Sequence, residues 1–280
     1  MKLFALTTLT MIAFAANSLL NRLGVAVYGT DPGLFAVLRV AAGAVVLWVL
    51  VWRRGAKANG GLSASWTRRI GAASMLALYM AGFSAAYLTL DAGVGALILF
   101  GGVQVTMFAG AVAGGERLTG PKLLGAAVAL SGLGVLVWPT EAVSLPVQGV
   151  TLMSLAAVGW GVYSLMGRAE SDPLAGTAAN FALCLPIVLP LILLGSGQWT
   201  WAGAATAAVA GGLTSGLGYA LWYQVLPKLA ATRAAIAQLS VPVIAAAGGV
   251  LVLGESIDWR FAVAAALVLG GIGLSLWKRR

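Results

Sequence analysis

Long apolar runs separated by short polar gaps dominate this chain of 280 residues. Each run is about twenty residues long, the length that a helix needs to cross the hydrocarbon core of a bilayer. Backbone groups inside a bilayer must be hydrogen-bonded within the span, so the runs predict helices. Ten spans are predicted: 3–27, 32–52, 70–90, 92–113, 121–138, 146–166, 174–194, 201–223, 232–253 and 259–277. The pattern therefore predicts an all-α integral membrane protein with ten transmembrane helices.

The composition agrees with a membrane protein. Hydrophobic residues make up 60% of the chain and charged residues 9%, with a mean hydropathy of +0.96. Since there is no histidine and a single cysteine, Cys184, a His/Cys metal site and a disulfide framework are excluded. The run after Met1 continues to Val27, which is too long for the apolar part of a secretory signal peptide, so we interpret it as the first span.

The basic residues concentrate in alternate gaps between the predicted spans. If Lys2 lies inside the cell, every Lys and Arg falls on the inner side except Arg22, Arg39 and Arg260. Basic loops stay on the cytoplasmic side of a membrane. The sequence therefore predicts a multi-pass protein of the inner membrane with both termini in the cytoplasm. This distribution also accounts for the net charge of +9 without a nucleic-acid partner, and none is predicted.

The second half of the chain repeats the first at an offset of 139 residues. Residues 115–138 align with residues 254–277 and are identical at eight of the 24 positions, including a Gly-Glu pair that we interpret as a cap for the helix that follows. A weaker match between the two halves aligns Asp31-Pro32 with Asp172-Pro173. Five spans per copy force the copies to insert with opposite orientations, an arrangement common in secondary transporters. We predict two domains, 1–139 and 146–280, as inverted five-helix repeats (5+5).

Each half of the chain contains a Gly-Glu pair that closes one helix, then a short polar turn and a Gly/Ala-rich helix. This repeated pattern resembles the EamA family of the drug/metabolite transporter superfamily. Arg39 lies where such proteins often carry an arginine in the second span. Among the members, the chain is most similar to amino-acid exporters, including the aromatic amino-acid exporters of the YddG type. The resemblance implies amino-acid export. Two departures are Val103, where the second half has Pro242, and the lack of a first-half counterpart to Trp160-Gly161.

Polar and aromatic residues inside the spans fall on shared helical faces. Asn17 shares a face with Phe14, and Tyr79 and Phe83 lie one turn apart. Polar groups at membrane depth usually face the bundle interior, so these faces predict one apolar and aromatic cavity with a few amide anchors. The candidate substrate-binding residues are Asn17, Tyr79, Phe83, Phe100, Gln104, Trp160, Tyr163, Tyr219 and Gln238. The two glutamines could equally join neighbouring helices. Aromatic residues near span ends, such as Tyr87, Trp48 and Trp138, are assigned to the membrane interface.

Carboxylates are absent from the middle of every predicted span. Proton relays and cation-binding pockets normally need such a group. We therefore expect a cavity without buried net charge, a neutral or zwitterionic substrate, and little coupling to protons. No phosphate-binding Gly-Lys-Ser/Thr loop is present, so ATP is not expected to drive transport directly. Without histidine or buried carboxylates an enzyme is disfavoured, and we predict no catalytic residue, metal or cofactor.

Together these features predict a secondary transporter that exports amino acids or similar small metabolites by alternating access. Alternatives are a carrier of nucleosides, sugars or drug-like neutral compounds, and a channel or helper subunit. The predicted partners are a small-molecule substrate and membrane lipid. The oligomeric state stays open, and the sequence is compatible with a monomer.

Overall fold

The computed structural model describes residues 2–55, 65–115, 120–138, 145–167, 170–225, 228–229, 237–238 and 240–275, and the regular elements in this part of the chain are all helical. We name the helices in chain order: α1 (Lys2–Arg22, π-helical over Leu23–Val27), α2 (Pro32–Arg53), α3 (Trp66–Ala86), α4 (Ala92–Ala113), α5 (Gly120–Val137), α6 (Val147–Gly167), α7 (Pro173–Val188 and, after a break, Leu191–Leu194), α8 (Trp201–Val209, π-helical Ala210–Leu217, then Gly218–Val225), α9 (Ser240–Gly248, π-helical Gly249–Leu253) and α10 (Trp259–Ser275).

Six of these helices, α1, α2 and α4 to α7, are long and apolar enough to cross a membrane. Helices α9 and α10 are apolar but shorter. Many large apolar side chains are exposed on the helices, as expected for surfaces that face lipid. The chain is therefore built as a multi-pass membrane protein, whereas the count of ten spans stays a prediction.

The third helix is displaced from its predicted span of 70–90. It begins at Trp66 and ends at Ala86, and residues 87–90 form the turn into α4. Hydropathy alone cannot show this end, because the turn carries the apolar residues Tyr87, Leu88 and Leu90. The ninth predicted span, 232–253, is described as a helix from Ser240 onward, and most of 232–239 lies outside the described residues.

Asp31 and Asp172 begin two helices in the same way. Each precedes a proline, which suits the first helical position because its missing N–H is not needed there. The Asp31 carboxylate accepts hydrogen bonds from the N–H groups of Gly33 and Leu34, and the Asp172 carboxylate accepts one from Ala175. The two Asp-Pro pairs of the sequence are therefore N-terminal caps of α2 and α7.

Glycine brings α8 unusually close to α2. A Cβ atom on Gly211 would lie 2.0 Å from the backbone oxygen of Arg39, so no other residue fits there without a shift of the backbone. Gly211 belongs to the π-helical stretch Ala210–Leu217, a backbone form that is often found at functional sites. This close approach places the next turn of α8, which carries Ser215, beside the Arg39 side chain.

The helices pack across the two halves of the chain as much as within them. Helix α5 packs against α10, α2 against α7, and α4 against α9. In addition, α3 packs against α6 and α7, α1 packs against α8 and α9, α2 packs against α8, and α4 packs against α6. The centre of the bundle is therefore surrounded by helices from both halves.

The assignment of Tyr87 to the membrane interface is wrong. Tyr87 is fully buried, with its ring edge-on to that of Phe83 at a centroid distance of 4.8 Å. It is buried because the turn that follows α3 folds inward against the start of α4. Trp48 and Trp138 are partly exposed, at 38% and 71%, as the interfacial assignment requires.

Candidate substrate-binding site

A small cavity lies in the centre of the bundle, between α1, α3, α4, α6 and α8. Its walls are aromatic and aliphatic with two polar side chains: Phe14, Asn17, Ser18, Tyr79, Phe83, Leu99, Phe100, Trp160 and Tyr219. The free space is about 20 Å³, whereas ligand pockets commonly measure roughly 300–1,000 Å³. The walls are therefore contracted in this conformation, and a bound molecule requires them to move apart.

The aromatic side chains of the cavity form one continuous set of ring contacts. Tyr79 lies 5.2 Å from Phe83 and 5.0 Å from Trp160, measured between ring centroids. Trp160 lies 5.0 Å from Tyr219, and Phe14 meets Tyr219 edge-on at 5.9 Å. These distances lie in the range of favourable aromatic pairs. Because Phe14, Tyr79 and Phe83 belong to the first half and Trp160 and Tyr219 to the second, both halves supply this wall.

Arg39 of α2 lies directly behind the aromatic wall and is fully buried. Its guanidinium carbon lies 5.3 Å from the ring centroid of Tyr79 and 5.0 Å from that of Phe83. Nη2 donates to the Tyr79 hydroxyl at 3.0 Å and to Ser215 Oγ at 3.2 Å, and Nε donates to Ser215 Oγ at 3.3 Å. Nη1 makes no hydrogen bond to any described residue. A cation is thus held in the bundle by neutral groups.

The charge of Arg39 has no counter-charge in the part of the chain that the structure describes. No ion pair joins it to a carboxylate, and the described acidic residues all lie outside the helix bounds: Asp31, Asp91, Glu170, Asp172, Glu255 and Asp258. An unpaired buried charge costs several kcal/mol, which ring faces offset only in part. The described lining of the cavity itself carries no charged side chain, as expected, but the buried charge of Arg39 lies directly behind two of its rings.

Asn17 joins α1 to α8 at one side of the cavity. Its Oδ1 accepts hydrogen bonds from Thr214 Oγ1 at 2.7 Å and from Ser215 Oγ at 3.3 Å. One turn later, Asn21 Oδ1 accepts a hydrogen bond from Ser84 Oγ of α3 at 2.9 Å. The amide oxygen of Asn17 is therefore already engaged, and Ser215 connects it to Arg39.

Six of the nine candidate residues line the cavity, namely Asn17, Tyr79, Phe83, Phe100, Trp160 and Tyr219. Tyr163 lies one layer further out, with its ring 5.6 Å from that of Trp160. Gln104 and Gln238 are half-buried and are not among the lining residues. The structure thus brings the aromatic candidates together with Asn17, but it does not place the two glutamines at the cavity.

Arg39 and Ser215 were not among the candidates. The sequence carried a signal for Arg39, which is a charge seven residues inside an apolar span. Ser215 gave no signal of its own, because small hydroxyl residues are common in membrane helices. Its position depends on the close approach of α8 to α2 at Gly211, which only the folded structure shows.

Residues 147–277 match the EamA-like transporter family. Over almost its whole length the chain is similar to an uncharacterized protein of Pseudomonas aeruginosa, with 46% identity over 279 residues that cover 98% of this chain and 94% of the relative. The second half of the chain, residues 147–277, is therefore an EamA-like transporter family domain. An uncharacterized transporter of Archaeoglobus fulgidus is 27% identical over 171 residues, 59% of this chain and 60% of that protein. A solved crystal structure shares the fold of this EamA-like protein, with a TM-score of 0.65, 21% identity and 95% coverage of both chains.

The EamA-like match over residues 147–277 and the apolar helices together indicate a membrane transporter of small molecules. Among the described residues, no group of three or more His, Cys, Asp or Glu side chains could hold a metal ion.

One end of the bundle, which we call the Glu255 end, is closed by charged contacts between α1, α4 and the α9–α10 connection. Arg22 Nη2 lies 3.1 Å from Asp91 Oδ1, and Arg22 Nε lies 3.5 Å from Glu255 Oε1. Both Glu255 oxygens also accept the N–H of Ala92 at 2.9 Å. Burial raises the pKa of Glu255 and Asp91 raises it further, against the opposing effects of the Ala92 N–H and Arg22.

Glu255 caps a different helix from the one expected. Its carboxylate binds the first N–H of α4, which is 163 residues away in sequence, rather than the start of α10. The start of α10 is capped instead by Asp258, whose Oδ1 accepts the N–H of Phe261 at 2.7 Å. The Glu116 of the first Gly-Glu pair lies outside the described residues.

The opposite end of the bundle, which we call the Arg69 end, is closed by a second set of ionic contacts. The buried Arg69 Nη1 lies 2.8 Å from Glu170 Oε2 and 3.4 Å from Asn180 Oδ1. Arg54 and Asp172 form a further ion pair. Although burial opposes the shift, the Arg54 guanidinium and the Ala175 N–H hold the pKa of Asp172 below its ordinary value. Side chains therefore join different helices at both ends of the cavity.

Proposed function

We propose that this EamA-like protein is a secondary transporter that exports amino acids with apolar or aromatic side chains by alternating access. The observation that carries the proposal is the aromatic wall around the central cavity, which both halves supply and which Arg39 contacts from behind. A cavity lined by aromatic rings with few polar groups suits a substrate that has an apolar body and a small charged end.

The charge at the site favours amino acids over the neutral alternatives. Arg39 can meet a carboxylate, which every amino acid carries and which nucleosides and sugars lack. The ring faces of Tyr79 and Trp160 can contact aromatic or aliphatic side chains, each contact contributing about 1 kcal/mol. This combination is the ground for preferring an amino acid to a nucleoside, a sugar or a drug-like neutral compound, and aromatic amino acids to small polar ones.

The packing of the helices supports an inverted 5+5 repeat. In such a repeat each helix of the first half corresponds to the helix five positions later, so that α1 corresponds to α6 and α5 to α10. Under this correspondence, the contacts of α3 with α6 and α7 match those of α8 with α1 and α2, which are also present. The contact of α1 with α9 becomes that of α6 with α4. The pairs α2–α7, α4–α9 and α5–α10 map onto themselves, as expected for helices beside a two-fold axis. We propose domains 1–139 and 146–280 on this basis.

The charges at the two ends support the proposed orientation. The Arg69 end carries four arginines, Arg53, Arg54, Arg68 and Arg69, and two described carboxylates, Glu170 and Asp172. The Glu255 end carries four carboxylates, Asp31, Asp91, Glu255 and Asp258, and two arginines, Arg22 and Arg260. Since basic residues mark the cytoplasmic side, we place the Arg69 end in the cytoplasm and the protein in the inner membrane. Both termini then lie in the cytoplasm.

The test is transport by the purified full-length protein in proteoliposomes. Vesicles loaded with labelled phenylalanine, leucine, uridine or glucose are diluted into label-free buffer, and efflux is compared with that from protein-free vesicles. We expect saturable efflux of phenylalanine and leucine. Efflux of uridine or glucose, with none of either amino acid, would replace the proposed substrate class by one of the neutral alternatives.

A further inference from the structure

The guanidinium group of Arg39 has an unused terminal nitrogen. Nε and Nη2 donate to Ser215 and Tyr79, whereas Nη1 is buried and has no acceptor among the residues that the structure describes. Leaving a buried donor without an acceptor costs free energy, and more so when the donor is charged. An acceptor that enters the site would remove this cost.

The partners that Arg39 already has are all neutral. They are the hydroxyl groups of Ser215 and Tyr79 and the ring faces of Tyr79 and Phe83. A planar guanidinium group matches the two oxygens of a carboxylate, which accept parallel hydrogen bonds and supply the missing negative charge. A neutral ligand could fill one hydrogen bond but would leave the charge unpaired.

The guanidinium group lies close enough to the cavity to reach a ligand there. It contacts Tyr79 and Phe83, which both line the cavity, but Arg39 itself is not a lining residue in the contracted conformation. With about 20 Å³ of free space, a bound molecule must displace lining side chains. Displacement of the rings of Tyr79 and Phe83 would open the path to Arg39.

The cavity offers much less to an ammonium group. Every described Asp and Glu lies outside the helices, so no carboxylate in that part of the chain faces the cavity. The amide oxygen of Asn17 already accepts hydrogen bonds from Thr214 and Ser215. An ammonium group would meet ring faces and engaged neutral oxygens, while Arg39 would repel it.

We infer that Arg39 binds the carboxylate of the substrate, and that the transporter accepts carboxylates with an aromatic or apolar tail whether or not they carry an amino group. This inference rests on the proposed function and deepens it by naming the group that is recognised. It assigns to Arg39 a ligand-binding role, with Tyr79 and Phe83 as the side chains that cover it in the contracted state.

The first experiment uses the unaltered protein and three ligands of the same shape. Binding of phenylalanine, 3-phenylpropionate and phenethylamine to the full-length protein in nanodiscs is measured by calorimetry, and each compound is tested as a competitor of efflux. We expect 3-phenylpropionate to bind within roughly tenfold of phenylalanine. We expect phenethylamine, which lacks the carboxylate, to bind at least tenfold more weakly than either, because a hydrogen bond to a charged group is worth about a factor of ten or more.

The second experiment replaces Arg39. Arg39→Gln should weaken binding of 3-phenylpropionate at least tenfold and leave the weak binding of phenethylamine unchanged or improved. Arg53→Gln is the matched control, because it makes the same change at an exposed position on the same helix. Thermal unfolding of both variants reports whether they fold. If Arg39→Gln does not fold, the three-ligand comparison still decides the inference.

The outcomes separate this inference from the proposed function. Binding of phenylalanine and phenethylamine but not of 3-phenylpropionate would overturn the role of Arg39 and leave amino-acid transport standing. Binding and efflux of 3-phenylpropionate without phenylalanine would support Arg39 and overturn the proposed substrate. If none of the three ligands binds, both proposals are wrong.

Discussion

Trp160→Ala tests whether the aromatic wall contacts the substrate. Trp160 connects the two halves of the wall, because its ring lies 5.0 Å from both Tyr79 and Tyr219. Its side chain is only half-buried, unlike those of its two neighbours. Among the cavity-lining rings that contact a ring of the other half, Trp160 is therefore the best one to remove. Its loss should alter the cavity most and disturb the core least.

The size of the effect follows from the ring contacts. An aromatic pair contributes about 0.5–1.5 kcal/mol beyond simple burial. A substrate ring that packs against Trp160 gains one such contact, so its loss of about 1 kcal/mol raises KM roughly fivefold for phenylalanine. Alanine as a substrate has no ring, and its KM should change less than twofold. The truncation should also lower the free energy of unfolding by about 3 kcal/mol, the low end for a large aromatic residue.

The assay is efflux of labelled phenylalanine and alanine from proteoliposomes that contain equal amounts of folded protein. Trp160→Phe keeps a ring at the site and should lie between the wild type and Trp160→Ala. Trp52→Ala removes a tryptophan that is 80% exposed on α2 and should leave both KM values unchanged. A KM that rises equally for phenylalanine and alanine would show that Trp160 supports the fold rather than the substrate.

Three further predictions concern packing, pH and coupling. Gly211→Ala should lower the free energy of unfolding by about 2–3 kcal/mol, because the added Cβ would lie 2.0 Å from the backbone oxygen of Arg39. Gly134→Ala is the control and should be neutral in the same unfolding assay, because a Cβ there has no neighbour within 4 Å. Although burial opposes the shift, Arg54 holds the pKa of Asp172 below its ordinary value. The Asp172 carboxylate therefore stabilises the fold above its ordinary pKa, and this stabilisation is lost as the pH falls through the lowered pKa. Thermal unfolding of Asp172→Asn should lack this acid-side loss. An imposed pH gradient alone should not drive uphill accumulation of substrate in proteoliposomes, because every described carboxylate lies outside the helices.

The sequence predicted those features that depend on local pattern. Apolar runs of membrane length gave the helix positions, and aromatic residues three or four positions apart gave the faces that meet at the cavity, as with Tyr79 and Phe83. These predictions succeed because a helix in a membrane forms the hydrogen bonds of its backbone within itself, whatever surrounds it. The family resemblance is confirmed for residues 147–277 as an EamA-like transporter domain, while the exporter branch stays a proposal.

The features that the sequence missed depend on contacts between distant segments. Glu255 caps α4 from 163 residues away, and no local signal indicates which helix start it reaches. Tyr87 is buried because the chain folds inward after α3, although its position near a span end is typical of the interface. The sequence showed Arg39 as a charge in a span without carboxylates, but its contacts with Ser215 and with the rings of Tyr79 and Phe83 appear only in the folded structure.

Both ends of the bundle are closed in the conformation that has the small central cavity. Arg22 and Glu255 form an ion pair at one end, and Arg69 and Glu170 form one at the other. The proposed alternating-access mechanism requires that only one set of these contacts opens at a time.

The two ends differ in how they contact the cavity wall. At the Arg69 end, Arg69 binds Asn180, Asn180 Nδ2 donates to the Tyr163 hydroxyl at 3.4 Å, and the Tyr163 ring packs on Trp160 of the cavity wall. At the Glu255 end, Arg22 instead donates to the backbone oxygen of Tyr87, whose ring packs on Phe83. A substrate that separated Trp160 from Phe83 would therefore act on side chains linked to both ends, and the end with the weaker ionic contacts would open more readily.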